Sequence, residues 1–244
     1  MTDLALIPAA PFPIARSRYT AAYMGQIPFD VILFDLDGTL ADTALDLTAA
    51  LNHALRALGR DPVPADEVRR MVGHGVRALV EKGLAATGIV SEALIDRALP
   101  SLLDYYQANI AEHTRPFDGV ETALKALDAD GVKTAICTNK LEALTRELID
   151  ALGWNGRFAA IVGGDTLPQR KPDAAPVREA IRRAGGGRAA FVGDSISDTD
   201  AARAAGIPCV ALTFGFSDRP ADQLGATALI DHWDELLPTL ERLG

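Results

Sequence analysis

Val31-Ile-Leu-Phe-Asp-Leu-Asp-Gly-Thr-Leu40 is the stretch on which the reading of this chain turns. Four apolar residues in a row, ended by two carboxylates and a glycine, read as a strand covered by helices on both faces, the pattern of a parallel sheet. Ligands of such sheets sit beyond the carboxyl ends of the strands, where Asp35 and Asp37 fall. In an extended chain, residues i and i+2 share a face, so both carboxylates can address one small volume. Two acids that close resist joint ionisation unless a cation or a difference of role separates them.

Working outward, four more apolar runs read as strands: Lys133 to Cys137, Ala159 to Val162, Ala189 to Val192 and Pro208 to Leu212. Helical segments separate the later ones, which predicts an α/β fold, a Rossmann-like, doubly wound parallel sheet. Between the first two strands lie about a hundred residues with no convincing strand, far more than a crossover requires. Leu47, Leu51, Leu55 and Leu58 repeat there at helical spacing, with Asp42 and Thr43 as candidate N-caps. Further helical patterns run through Asp66 to Met71, Val76 to Ala86 and Ser91 to Ala111, broken by Gly73-His74-Gly75 and Gly88. Pro100 is expected to kink or interrupt the last of them. The chain therefore divides into a core of residues 29–41 and 115–244, an inserted all-helical cap of residues 42–114, and a poorly specified N-terminal extension of residues 1–28. Both linkers of the insert leave from above the Asp35 turn, which makes the insert a lid.

Composition narrows the function classes. The chain has 244 residues, 48% of them apolar, enough for a packed core with a smaller insertion. A net charge of −9 without a long basic run lacks the footprint of a nucleic-acid binder. No apolar stretch approaches the ~18 residues of a spanning helix. Arg16 and Arg18 follow the first apolar residues instead of preceding them, the reverse of a secretory signal. Cys137 and Cys209, distant from each other, read as small buried hydrophobes and fit a reducing cytoplasm. His53, His113 and His232 show no ligand spacing.

Asp35-Leu-Asp37-Gly-Thr39 resembles the first motif of the haloacid dehalogenase superfamily of phosphohydrolases. The remaining motifs follow in order, each near the end of an apolar run: Thr138 in Ala135-Ile-Cys-Thr-Asn-Lys140, Lys171 in Leu167-Pro-Gln-Arg-Lys-Pro172, and Asp194 with Asp198 in Val192-Gly-Asp-Ser-Ile-Ser-Asp198. The resemblance, which covers Phe29 to the C-terminus, implies that Asp35 is the nucleophile and Asp37 the general acid and base. It implies further that Thr138 and the backbone N–H of Asn139 hold the phosphoryl oxygens, and that Lys171 neutralises their charge. Asp35, Asp194, the main-chain carbonyl of Asp37 and, at one remove, Asp198 would hold Mg²⁺. An acid at Asp37 points to phosphate esters, since a departing halide needs no proton.

Three longer strings, Leu40 to Leu47, Met71 to Val80 and Gly163 to Asp173, are similar to those of bacterial phosphoglycolate phosphatases. On that resemblance the substrate is 2-phosphoglycolate, with Gly73, His74, Arg77 and Arg170 as candidate contacts to a small carboxylated phosphate. His74 departs from the asparagine of that cap loop. The alternatives are a phosphatase of sugar phosphates or pyrophosphate, a hexose-phosphate mutase, and a non-catalytic scaffold. The partner expected is a small phosphorylated molecule, with neither nucleic acid nor membrane, and the chain a monomer or homodimer.

Overall fold

The structure is a computed structural model and describes residues 27–217 and 219–244. The reading of the N-terminal extension lies outside these residues, apart from Ile27, which is buried in the core, and Pro28. In chain order the elements are β1 (Val31–Phe34), β2 (Ala41–Asp42), α1 (Ala44–Ala57), α2 (Ala65–Arg69), α3 (Val76–Thr87), α4 (Glu92–Ala108), β3 (Arg115–Pro116), α5 (Val120–Ala129), β4 (Lys133–Cys137), α6 (Glu142–Ala151), β5 (Ala160–Val162), α7 (Ala174–Arg183), β6 (Ala189–Gly193), α8 (Ile196–Ala205), β7 (Cys209–Leu212), β8 (Ala228–Ile230) and α9 (Leu236–Arg242).

Six strands form one parallel sheet in the order β5-β4-β1-β6-β7-β8. The alternation of each strand sorts its side chains to two faces. Ile32, Phe34, Ile136 and Val192 pack toward α5, α6 and α9, while Val31, Leu33, Ala135 and Phe191 pack toward α7 and α8. Burial on both sides is the reason these strands have continuous apolar runs. Cys137 and Cys209 lie in the second layer as free, buried thiols, as expected. The sheet places β1 at its centre, and the chain fills one side (β4, β5) before crossing to the other (β6 to β8). That switch point opens a crevice at the carboxyl end of β1.

Three strands escaped the sequence reading. The edge strand β8 has only three residues and leaves Leu229 exposed, so it shows no apolar run. The two-residue strands β2 and β3 pair antiparallel, Ala41 with Pro116 and Asp42 with Arg115, and bind the outgoing linker of the insert to the returning one.

Helices α1 to α4 pack around an apolar cluster of their own, with Leu51, Leu55, Val80, Leu84, Ile95 and Leu102 at its centre. Two expectations are corrected here. Pro100 does not interrupt α4, which runs unbroken from Glu92 to Ala108; it sits on the exposed side, where the carbonyl it leaves unpaired can reach water. Thr43 occupies the N-cap position of α1 but makes no capping hydrogen bond; Asp42 Oδ1 instead accepts from the Ala44 N–H at 3.2 Å. The buried Asp46 carboxylate, in the first turn of α1, accepts from the backbone N–H groups of His113 and Thr114 and from the Thr114 hydroxyl at 2.7 to 3.1 Å. It locks the start of the insert to its end.

Candidate active site

Each candidate side chain in the core is positioned by a strand end. The N–H of Asp35 continues the ladder to Val192 O at 3.0 Å, and the N–H of Thr138 does the same to Val162 O at 3.0 Å. Both residues are thus placed by the sheet before the chain turns. After Asp35 the backbone folds tightly, with Leu36 O accepting from Thr39, Leu40 and Ala41. Gly38 has a φ of +83°, and a Cβ there would lie 2.4 Å from Asp194 Oδ2 and 2.7 Å from the Phe216 ring, so only glycine fits. Thr39 then donates its hydroxyl to Asp194 Oδ1 at 2.7 Å. The opening motif therefore ties itself to the fourth motif through two of its own residues.

Oxygens of Asp35, Asp194 and Asp198 all lie within 4.8 Å of one another, and all three residues are buried. Burial raises the Asp35 pKa to about 6, opposed by the Lys171 ammonium and reinforced by Asp198. Burial likewise pushes Asp194 well above the usual carboxylate range, with Asp198 and Asp35 adding repulsion. Lys171 Nζ stands 3.1 Å from Asp35 Oδ1 and 2.5 Å from Asp198 Oδ1. Burial works to lower its pKa, but the two carboxylates outweigh that and hold it above the ordinary lysine value.

The two oxygens of Asp198 are already engaged. Oδ1 takes Lys171, and Oδ2 accepts from the N–H groups of Asp194 and Ser195 and from the Ser195 hydroxyl at 2.7 to 3.1 Å. As the N3 residue of α8 it closes a capping box and braces the fourth-motif loop. Asp35 Oδ1, by contrast, is buried with the Lys171 ammonium 3.1 Å away and no hydrogen bond of good geometry. Native proteins rarely leave such an oxygen alone. Three crowded acids, of which Asp35 and Asp194 have raised pKa and Asp35 keeps an oxygen without a well-formed hydrogen bond, fit a hard divalent cation held by oxygen ligands.

The cap closes over this cluster. Asp35, Asp37, Thr138, Asn139 and Lys140 line the core wall of a cavity whose other wall is largely aliphatic, with Leu47, Val72, Val76, Leu79, Leu102 and Leu103. The loop between α2 and α3 touches the core directly. Asn139 Nδ2 donates to Gly73 O at 3.0 Å and to Lys171 O at 3.1 Å, so one amide joins the cap loop, the second motif and the third. Gly73 and Gly75 line the cavity.

The other cap candidates fare differently. His74 is absent from the cavity lining, and its Nδ1 lies 3.1 Å from Ser197 Oγ at the start of α8. Arg170 is exposed, with a guanidinium nitrogen 3.4 Å from where a Cβ on Gly75 would be. Arg77 does not line the cavity: its guanidinium pairs with Glu81 at 3.0 Å and with Glu92 on the α4 side. In this arrangement its charge is turned to those two acids and not to the cavity.

Lys140 was quoted in the second motif but given no role by sequence reasoning. Its buried ammonium donates to Asp37 Oδ1 at 3.0 Å, to Asp37 Oδ2 at 3.2 Å and to the hydroxyl of Tyr106 of α4 at 2.7 Å. Burial acts to lower its pKa, but Asp37 and Tyr106 outweigh it and hold the lysine above its usual value. Burial pushes the Tyr106 phenol up to about 12, which keeps it protonated. The only signal in the sequence was a lysine placed directly after the two residues of the second motif.

The family model described as haloacid dehalogenase-like hydrolase matches residues 32–212. The chain is 48% identical over 217 residues to the phosphoglycolate phosphatase of Mesorhizobium japonicum, covering 87% of this chain and 96% of that protein. It is 45% identical over 202 residues to the phosphoglycolate phosphatase of Caulobacter vibrioides, covering 82% and 85% of the two chains. Among solved structures, that of a predicted phosphoglycolate phosphatase from Haemophilus somnus superposes with a TM-score of 0.81 at 29% identity, covering 88% of this chain and 99% of the other.

Proposed function

The chain belongs to the haloacid dehalogenase-like hydrolases, and from that premise we propose that it is a Mg²⁺-dependent phosphatase converting 2-phosphoglycolate to glycolate and phosphate. The observation that carries the reaction is the buried meeting of Asp35, Lys171, Asp194 and Asp198 at the switch point of the sheet. The substrate rests on the curated relatives that bear that name along nearly their whole length. None of the helices among the described residues is long and apolar enough to cross a membrane; a cytoplasmic enzyme, monomeric or dimeric, fits this reading.

Asp35 attacks phosphorus in line, and its carboxylate becomes an acyl phosphate as the ester oxygen departs. Asp37, two residues along the same turn, gives that oxygen its proton and later takes one from the water that attacks the aspartyl-phosphate. The Thr138 hydroxyl and the N–H of Asn139 donate to the phosphoryl oxygens. The Lys171 ammonium, fixed between Asp35 and Asp198, offsets the negative charge that gathers around them. Asp35, Asp194 and the main-chain carbonyl of Asp37 would hold Mg²⁺, which when bound supplies positive charge beside the transferring phosphoryl group. Asp198 serves by holding Lys171 and the loop that carries Asp194. The aliphatic cap wall keeps bulk water from the cavity in which Asp37 would activate the attacking water.

The test is phosphate release with Mg²⁺ from 2-phosphoglycolate beside sugar phosphates, pyrophosphate and p-nitrophenyl phosphate, compared by kcat/KM. A preference for 2-phosphoglycolate of about tenfold or more is expected. A lead by another ester would move the substrate and keep the phosphatase; no release from any ester would overturn both.

A further inference from the structure

Lys140 and Tyr106 meet beside Asp37 in the cavity, and the proposed reaction uses neither. Among the described residues that line the cavity, Lys140 is the one cationic side chain; Lys171 is outside that lining and is held against Asp35 and Asp198. The rest of the lining is two acids, neutral polar groups and aliphatic side chains. An anionic leaving group entering such a space gives up its water and finds negative charge at the cavity floor, a penalty that only a fixed donor set can offset.

The placement of Lys140 is specific. Its ammonium is 3.0 Å from Asp37 Oδ1, the group expected to protonate the ester oxygen. In 2-phosphoglycolate a single methylene separates that ester oxygen from the carboxyl carbon. A substrate whose ester oxygen reaches Asp37 therefore brings its carboxylate within reach of whatever is bonded to Asp37. The Tyr106 hydroxyl is the second donor: it accepts from Lys140 at 2.7 Å, which leaves the phenol its own O–H to donate. The Lys140 ammonium also lies 4.3 Å from the centroid of the Tyr106 ring, so the pair holds together with or without a ligand.

From this we infer that Lys140 and Tyr106 form the carboxylate subsite of the enzyme and set its preference for esters with an acidic leaving group. The inference rests on the 2-phosphoglycolate reading and deepens it. One donor comes from the core and the other from α4 of the cap, so the subsite is complete only when the cap is seated. A carboxylate bound between them would thus favour the closed arrangement in which Asp35 is sheltered from water.

The experiment compares 2-phosphoglycolate with its amide, which has the same shape and no carboxylate charge, and with ethyl phosphate. The full chain should favour the acid over the amide by about 100-fold in kcat/KM, the size a charge-assisted hydrogen-bond pair carries. In Lys140→Gln that ratio should fall to near unity, chiefly through a higher KM for the acid, whatever general loss the variant shows. Equal losses on acid and amide, with the ratio unchanged, would reduce Lys140 to a prop for Asp37 and overturn the subsite. Should Lys140→Gln not fold, Tyr106→Phe and the unmodified chain still decide. Tyr106→Phe should cut the ratio several-fold, and an unmodified enzyme that hydrolyses acid and amide equally well would overturn the inference while leaving the 2-phosphoglycolate reading intact. A chain that turns over ethyl phosphate but not 2-phosphoglycolate would overturn both.

Discussion

Asp35, Lys171, Asp194 and Asp198 crowd the core side of the site with four formal charges, none more than 4% exposed, whereas the cap wall facing the cavity is leucine and valine with Tyr106 as its polar member. The two sides are held by different forces. Backbone geometry fixes the core side, with Asp35, Thr138 and Asp194 each one residue beyond a strand of the parallel sheet. Aliphatic packing among four helices fixes the cap side, closed on itself by Asp46 and joined to the core by the β2 to β3 ladder, by Asn139 and by the Lys140 to Tyr106 contact. The difference teaches a division of labour: charge that would be costly elsewhere is held where the sheet makes it rigid, and selection is left to a wall that can be repacked without disturbing it.

Replacing the nucleophile should break that division most sharply. Asp35→Asn keeps the shape and removes an ionisable group that burial has already pushed up to about 6. Turnover should fall by about 10⁴-fold or more. Folding should survive, because the amide removes the cost of a buried charge and the repulsion from Asp198 and Asp37, which offset the lost attraction to Lys171. Phosphate release and thermal unfolding measured on the same preparation check both halves. Activity within tenfold of the parent would place the nucleophile elsewhere.

A smaller effect, larger above pH 6 than below it, should come from the metal. A buried carboxyl whose folded pKa is raised favours folding at low pH. As pH climbs from the unfolded value of 3.8 toward about 6, the unfolded chain loses its proton first and the stabilisation is lost. Above that window the metal-free protein holds Asp35 ionised at a standing cost. Mg²⁺ should therefore raise the melting temperature more at pH 7.5 than at pH 5, and chelation should suppress activity reversibly. An equal rise at both pH values would detach the metal from Asp35; full activity in excess chelator would remove the metal from the reaction.

The contrast between the two sides also governs what could be read from sequence. The core side was legible because its signals are local: an apolar run, then a carboxylate, a threonine or a glycine turn, with the sheet supplying the long-range order. Asp35 stood out at its strand end, while Thr138 and Asp194 were legible through the resemblance of the four motifs taken in order. Lys140 needed knowledge of its partners, since its meaning comes from Tyr106, 34 residues earlier on a helix of the insert, and from Asp37. Asp46 was hidden for the same reason: an acid in the first turn of a helix reads as a complement to the helix dipole, and its real partners, His113 and Thr114, lie at the far end of the insert. Strand β8 was missed because an edge strand of three residues carries no apolar run, and Pro100 was misjudged because periodicity does not say that its side of α4 meets water. A local pattern carries the chemistry; pairings across the linkers carry the cap.

Arg77 sharpens the comparison with the smallest effect. On the sequence it was a cation beside a glycine loop, a reasonable partner for a carboxylated phosphate. In the structure it lies on α3 between Glu81 and Glu92, with its side chain 40% exposed, while Val76 and Leu79 of the same helix line the cavity. Exposed ion pairs of this kind contribute little, because water screens the attraction and two long side chains lose freedom to make it. Arg77→Ala should therefore leave kcat/KM for 2-phosphoglycolate within about twofold and the melting temperature within about 2 °C of the parent. A loss of tenfold or more confined to kcat/KM would mean that α3 turns during turnover and brings the arginine inward. The cap wall would then supply a charge to the substrate, and the division between a charged core and an aliphatic cap would hold only for the resting enzyme.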